Sequence, residues 1–280
     1  MTVLPGRRRR TLAAPTDVFH GVGLHSGKAA SVQFLPAPSR TGRVFRNPET
    51  GQDIPANIKN LVETERCTIL GSEGWTLSTV EHVLSALSGL DLDDVIIEAV
   101  GEELPIGDGS ALPFVKLLEA AGAVEYGDET LPLRPLFPIM VAGDKGESIV
   151  CSPAPELRLT VVLDYPAHSF IGTQVSELTV DSSSYRSGIS EARTYGFLSE
   201  LEWLHKRGLG LGASRENVVV LRDDGYDSDL RYPDELARHK MLDLIGDLAL
   251  TGRSIEAHIY AIKPSHRLNT KLASLLISGE

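Results

Sequence analysis

Residues 126–138 read Tyr-Gly-Asp-Glu-Thr-Leu-Pro-Leu-Arg-Pro-Leu-Phe-Pro. Prolines at 132, 135 and 138 exclude a continuous helix or an interior strand, because each lacks a backbone donor and locks its φ. The stretch follows a helix-like segment, Phe114–Ala121, stopped by Gly122, and divides the 280-residue chain into halves of similar size. The expected organisation is an N-terminal domain over 1–126, a linker over about 127–135 and a C-terminal domain over 136–280.

Outward from that break, strands and helices mix on both sides. Before it, Ala30–Leu35 and Asp94–Val100 read as strands. Between them Val80, Val83, Leu84 and Leu87 give the one-face spacing of a helix over Thr79–Leu87, with Ser78 and Glu81 at capping-box spacing at its start. After the break, Arg158–Leu163 and Asn217–Leu221 read as buried strands, and Ser199–Arg207 as a helix ended by Gly208. Pro233-Asp-Glu opens a long helix that runs to Thr251 and stops at Gly252. Ile255, Ala257, Ile259 and Ala261 alternate as in a strand, and Leu268, Leu272, Leu275 and Leu276 mark a final helix. The class is α+β: two domains, each a sheet with packed helices in a two-layer sandwich. No repeat or low-complexity tract stands out.

Net charge is −11, from 27 Lys and Arg against 38 Asp and Glu. Binding to a nucleic-acid backbone draws on surplus cations, so no nucleic-acid partner is expected. Two cysteines, Cys67 and Cys151, give neither a disulfide scaffold nor a cysteine zinc site, and fit a reducing cytoplasm. No apolar run approaches the ~18 residues of a spanning helix. The basic block Arg7–Arg10 is followed by no sustained apolar stretch, so it reads as a solvated basic N-terminus rather than an export signal.

Gly21-Val-Gly-Leu-His-Ser-Gly27 is one residue too long for the dinucleotide fingerprint, and Lys28-Ala29 lacks the Ser or Thr of a phosphate loop. No G-x-S-x-G is present. The Pro233 helix carries more. His239, Asp243 and Asp247 recur every fourth residue, a step that drifts only about 40° around the axis, so they share one stripe. His and Asp at that spacing form a two-ligand grip for zinc, and equally a solvated face with Asp–His hydrogen bonds. In the first half, His82 next to Glu81 can supply a further ligand with a carboxylate beside it to take a proton from water. Alternatively Glu81 only completes a capping box and His82 is an exposed helix residue.

The segments GVGLHSG (21–27), STVEHVLSAL (78–87), LPIGDGSALPF (104–114), EARTYGF (191–197), RGLGLGAS (207–214), ELARHKMLDLIGDL (235–248) and the stretch around His266 resemble, in order and spacing, the zinc-dependent UDP-3-O-acyl-N-acetylglucosamine deacetylases of lipid A biosynthesis. The resemblance covers roughly residues 10–276. It implies His82, His239 and Asp243 as ligands of Zn²⁺ with an open fourth position, in a site between the two domains. It implies Glu81 as general base, His266 as the group that supports the oxyanion or protonates the leaving amine, and Asp247 as its partner. Thr194 would place its hydroxyl on the oxyanion. Lys240, Lys263, His25, Leu24, Tyr195 and Gly210 would line the substrate site, with the Gly-Leu-rich stretch inside Tyr195–Val218 forming an acyl-chain passage. Each has a plainer reading as a loop, cap or solvated surface residue. His20, His168, His205 and His258 match nothing catalytic.

The chain departs from the family at Tyr195, where Phe is usual, at Ser265, where Gly is frequent, and over Leu163–Gln174. These leave acyl-chain length and one wall of the site open. The implied function is removal of the N-acetyl group from the acylated UDP-sugar, releasing acetate, by a cytoplasmic monomer. Two alternatives remain: a non-catalytic zinc-binding relative, and a zinc amidase acting on another N-acetyl sugar.

Overall fold

A computed structural model describes residues 6–72 and 74–279. The first five residues of the expected N-terminal domain, Glu73 and Glu280 lie outside the described residues. The first half runs β1 (Arg7–Leu12), β2 (Phe19–Val22), β3 (Ala29–Pro36), β4 (Arg43–Arg46), β5 (Asp53–Pro55), β6 (Leu61–Glu63), β7 (Ile69–Ser72) and β8 (Trp75–Leu77). It closes with α1 (Glu81–Gly89), β9 (Val95–Val100), α2 (Leu112–Ala121) and β10 (Ala123–Thr130). The second half continues with β11 (Ile139–Ala142), β12 (Ser148–Pro153), β13 (Arg158–Tyr165), β14 (Gly172–Thr179), α3 (Ser182–Gly188), β15 (Tyr195–Phe197), α4 (Leu201–Lys206) and β16 (Val219–Leu221). It ends with α5 (Glu235–Leu248), β17 (Ala257–Ile262) and α6 (His266–Ser278).

Two five-stranded sheets carry the α+β fold, ordered β2-β3-β9-β4-β5 and β11-β12-β17-β13-β14. Their plans coincide: two hairpins flank a central strand that is added last, antiparallel to one hairpin and parallel to the other. The central strands alternate clearly. Val95, Ile97 and Ala99 of β9 and Ala257, Ile259 and Ala261 of β17 face inward, as a period of two requires. In each plan the last α-helix before the central strand, α1 in the first half and α5 in the second, packs on its counterpart. All of α1 but Ser88 is buried, and all of α5 but Arg238 and Lys240. A helix covered all round is expected where it lies between a sheet and a second helix; α5 also contacts β13 and β14.

Close approach of α1 and α5 depends on Gly246. A Cβ there would stand 2.1 Å from the Glu81 carbonyl oxygen and 2.7 Å from its carbon. Backbone meets backbone at that point, so no larger residue fits without separating the helices.

Several local expectations change. Residues 127–130, expected at the start of the linker, belong to β10, which pairs antiparallel with β1. The basic block is not a solvated tail. It lies in β1, where Arg7 binds Asp93 (2.7 and 2.8 Å) and Arg9 binds Asp94 (2.6 and 2.8 Å). Both carboxylates are buried beside β9, where the bidentate guanidinium groups satisfy their oxygens. No capping box opens α1: Ser78 donates to the Glu102 carbonyl at 3.1 Å, and Val80 at the N-cap makes no side-chain cap bond. Glu81 is thereby free to turn inward. The Ser199–Arg207 helix is a 3-10 turn, Leu198–Glu200, leading into α4, and the Pro233 helix begins at Glu235 and ends in a 3-10 turn over Ala249–Thr251. Among the described residues, no helix is long and apolar enough to cross a membrane.

Candidate active site

The starts of two helices meet one long face of a third at a buried point. The first turn of α1 presents Glu81 and His82, α5 presents His239, Asp243 and Asp247, and α6 begins with His266. All six are buried. The stripe on α5 therefore faces α1 rather than water, so it is not a solvated face.

One carboxylate oxygen of Asp243, Oδ1, lies 3.4 Å from His239 Nε2 and 3.9 Å from His82 Nε2. Ligand atoms of these three residues all fall within 4.8 Å of one another, and they are the one such group among the described residues. His239 Nδ1–H donates to the Ala192 carbonyl at 3.2 Å, which leaves Nε2 as the free lone pair. Burial pushes the His239 pKa down to about 3 and lowers that of His82. Burial opposes ionisation of Asp243, but His239, Lys240, His266 and His82 outweigh it and hold the group well below the usual carboxylate range. Two neutral imidazoles and one ionised carboxylate, converging and dry, are a donor set that suits a divalent metal with N/O preference, zinc among them.

Beside this group stands a second pair. His266 Nε2 lies 3.9 Å from Glu81 Oε1, and its Nδ1 is bonded to Asp247 Oδ2 at 2.9 Å. Burial raises the Glu81 pKa to about 7, with Asp247 and Asp243 adding to the rise and His266 opposing it. Burial alone would lower His266; the carboxylates of Asp247 and Glu81 raise it instead, to about 9. Both shifts are upward: the carboxyl is brought near neutrality, where it can take a proton, and the imidazole is kept protonated, where it can give one.

A cavity of about 500 Å³ opens from these residues. Leu24, His25, Thr194, Tyr195, Gly210 and Lys240 line it. Lys263 is not among its lining residues and sends Nζ toward Asp164, 3.9 Å away. Leu198, Leu201, Leu204, Val218 and Val220 make one side of the cavity apolar. The glycines of 207–214 have conformational reasons. Gly210 has a left-handed φ of 70°, and a Cβ on Gly212 would stand 2.1 Å from the Gly23 carbonyl oxygen. That contact seats the segment on the 23–27 loop, through Gly212 N–H to the Leu24 carbonyl and Leu211 N–H to the His25 carbonyl, both 3.0 Å.

With this geometry, the match to known proteins is specific. A family model described as UDP-3-O-acyl N-acetylglycosamine deacetylase matches residues 9–278. The chain belongs to this deacetylase family. The UDP-3-O-acyl-N-acetylglucosamine deacetylase of Chlamydia muridarum is 40% identical over 277 residues, 98% of this chain and 96% of its own. Those of Chlamydia felis and Chlamydia pneumoniae are 39% identical over 274 residues and 38% over 278, with 97% and 98% of both chains covered.

Tyr195 and the Leu163–Gln174 segment, where departures from the family were expected, meet each other. The Tyr195 hydroxyl, which a phenylalanine would lack, is 3.0 Å from the hydroxyl of Tyr165. Tyr195 also sets its ring edge-to-face with His239, centroids 6.1 Å apart, and beneath Lys240, whose Nζ bonds Asp243 at 2.8 Å. His168 of the same segment lies over Phe197, ring centroids 4.6 Å apart. His258 bonds Thr160 Oγ1 at 2.9 Å on the sheet, and His20 and His205 are exposed.

Several supports escaped sequence reasoning. Glu235 takes the Arg193 backbone N–H (3.0 Å) and guanidinium (2.8 and 3.1 Å), which anchors the Thr194–Tyr195 segment to the start of α5. Glu103 takes the N–H groups of His25 (2.8 Å) and Ser26 (2.7 Å) and so shapes the 23–27 loop. Thr68 and Asn269 bond Asp247. Arg193 and Ser26 sit inside recognisable segments; Thr68 and Asn269 carry no pattern that would single them out.

Proposed function

We propose that the chain hydrolyses the N-acetyl group of UDP-3-O-acyl-N-acetylglucosamine, releasing acetate and UDP-3-O-acyl-glucosamine, in lipid A biosynthesis. His82, His239 and Asp243 would hold Zn²⁺. When bound there, zinc supplies a Lewis acid that polarises the acetamide carbonyl and lets water ionise near neutral pH. Glu81 takes a proton from the attacking water as its oxygen bonds to the carbonyl carbon. The Thr194 hydroxyl supports the oxyanion. As the C–N bond breaks, His266, held protonated by Asp247, gives its proton to the departing amine. The single observation that carries this reading is the Glu81–His266 pair, 3.9 Å apart, beside a dry three-ligand group at the head of a half-apolar cavity. Lys240, His25, Leu24, Tyr195 and Gly210 would contact the substrate and the apolar side would take its acyl chain. Lys263 would reach only a part of the substrate that projects beyond the cavity. The enzyme would work as a cytoplasmic monomer, with its domains over 1–126 and 136–280.

Acetate release from the acylated UDP-sugar, with and without a chelator, tests the reading. Activity should vanish with the metal and return on adding zinc. Full activity in protein shown to be metal-free would exclude the metal assignment. An unacylated UDP-N-acetylglucosamine should be poorer by at least ~100-fold in kcat/KM, because it leaves the apolar wall unfilled. Equal rates on both would favour a zinc amidase for simpler N-acetyl sugars, and no turnover of either by the zinc-loaded protein would favour the non-catalytic relative.

A pH dependence follows from His266. Its pKa is raised to about 9, so the imidazolium that serves as acid is present below that value and is lost as pH rises through it. The rate should fall on the alkaline side near pH 9. A profile that stays level from pH 8 to beyond 10 would remove His266 as proton donor.

A further inference from the structure

We infer that Thr68 is a positioning residue that holds the base and the acid partner in one frame, an inference resting on the reading of Glu81 and His266 given above. Thr68 is fully buried, in the turn between β6 and β7. Its backbone N–H donates to Glu81 Oε2 at 3.1 Å, and its hydroxyl donates to Asp247 Oδ1 at 2.5 Å. Its carbonyl accepts from the N–H of Val80, at 3.4 Å, immediately before Glu81. One residue thus fixes two carboxylates that lie on different helices and far apart in the chain.

Asp247 has no contact with solvent and three donors: the Thr68 hydroxyl on Oδ1, and His266 Nδ1 and Asn269 Nδ2, each at 2.9 Å, on Oδ2. The donors fix the carboxylate plane. That plane in turn fixes the imidazole so that Nε2 faces Glu81 Oε1. Without the hydroxyl, Oδ1 would be a bare anionic oxygen in a dry site, and the carboxylate would turn to recover a donor, taking the imidazole with it. Valine has nearly the shape of threonine and keeps the backbone N–H, so Thr68→Val removes only the hydroxyl bond. Serine restores it.

Thr68→Val should lower kcat by ~10–100-fold, the value of a hydrogen bond to a charged group, with KM changed by less than ~3-fold. Thr68→Ser should recover to within ~3-fold of wild type. In the Asp247→Asn background, adding Thr68→Val should cost less than ~2-fold more, because the two residues act as a unit. A readout independent of turnover is the His266 Nδ1 proton in ¹⁵N-imidazole-labelled protein, zinc-loaded and metal-free: it should be protected from exchange in wild type and Thr68→Ser, and exchange freely in Thr68→Val. An unchanged kcat with an unchanged imidazole signal overturns the inference. So does equal impairment of the Val and Ser variants in step with their melting temperatures, which would mark a purely structural role. If Thr68→Val does not fold, the Thr68 hydroxyl proton in wild type decides, since it must be protected from exchange; free exchange overturns the bond. Failure of wild type to release acetate would instead defeat the reading of the site, while the imidazole signal would still report on Thr68.

Discussion

Glu81→Gln should lower kcat for acetate release by about 10²–10⁴-fold, the range for loss of a positioned general base, while leaving metal content and fold intact. The amide matches the carboxylate in shape and can still accept the Thr68 N–H that now reaches Oε2 at 3.1 Å. It cannot take a proton from water. His82, His239 and Asp243 are untouched, so zinc stoichiometry should match wild type. Stability should hold or rise. The Glu81 pKa, raised to about 7 by burial, lies above its ordinary value. Its charged form is therefore disfavoured in the folded state, and the cost grows as pH rises from the unfolded value toward 7 and is then constant. A neutral side chain removes that cost. Single-turnover acetate release, zinc analysis and thermal melting at pH 8 check all three expectations. A loss below tenfold would take the role of base away from Glu81.

Gly246→Ala should damage stability and the site together. The added Cβ would meet the backbone oxygen, carbon and Cα of Glu81 at 2.1, 2.7 and 2.9 Å. None of these can swing aside like the end of a side chain, so α1 and α5 must part. Overpacking of this kind costs about 1–3 kcal/mol and occasionally more, and for a chain this long each kcal/mol lowers Tm by roughly 2–4 °C. The functional loss should exceed the loss of stability. His82 rides on α1, and His239 and Asp243 on α5, so the same displacement opens the ligand group and moves Glu81 from His266. Zinc affinity should fall at least ~10-fold, as it does when supports of metal ligands are lost. Gly225→Ala, where a Cβ meets nothing within 4 Å, is the matched control and should be silent. Wild-type melting and metal content in Gly246→Ala would show that the helix contact does not govern the site.

Much of the fold was legible because its signals are local. The alternation of β17 and the burial pattern of β9 follow the strand period, and the stop at Gly252 follows from its left-handed φ of 74°. The coincident plan of the two sheets was not legible. A shared topology demands only alternation and turns, which many unrelated sequences satisfy, so the two halves show no repeat. Ser78 and Glu81 misled because capping-box spacing is also the spacing of a residue that leaves for the Glu102 carbonyl and another that turns into the site. The basic block misled because its partners, Asp93 and Asp94, lie far along the chain.

The candidate site divides along the same line. That His239, Asp243 and Asp247 share one stripe follows from the helical period alone, whatever surrounds the helix. Whether the stripe meets water or a second helix is not a local property. It depends on α1 reaching backbone contact at Gly246, on Thr68 joining Glu81 to Asp247, and on Glu235 drawing Arg193 to the start of α5. Each of these brings together groups that chain spacing leaves apart. The donor types were written in the order of residues; their convergence and dryness, and the raised pKa values of Glu81 and His266 that burial and proximity produce, belong to the packed molecule.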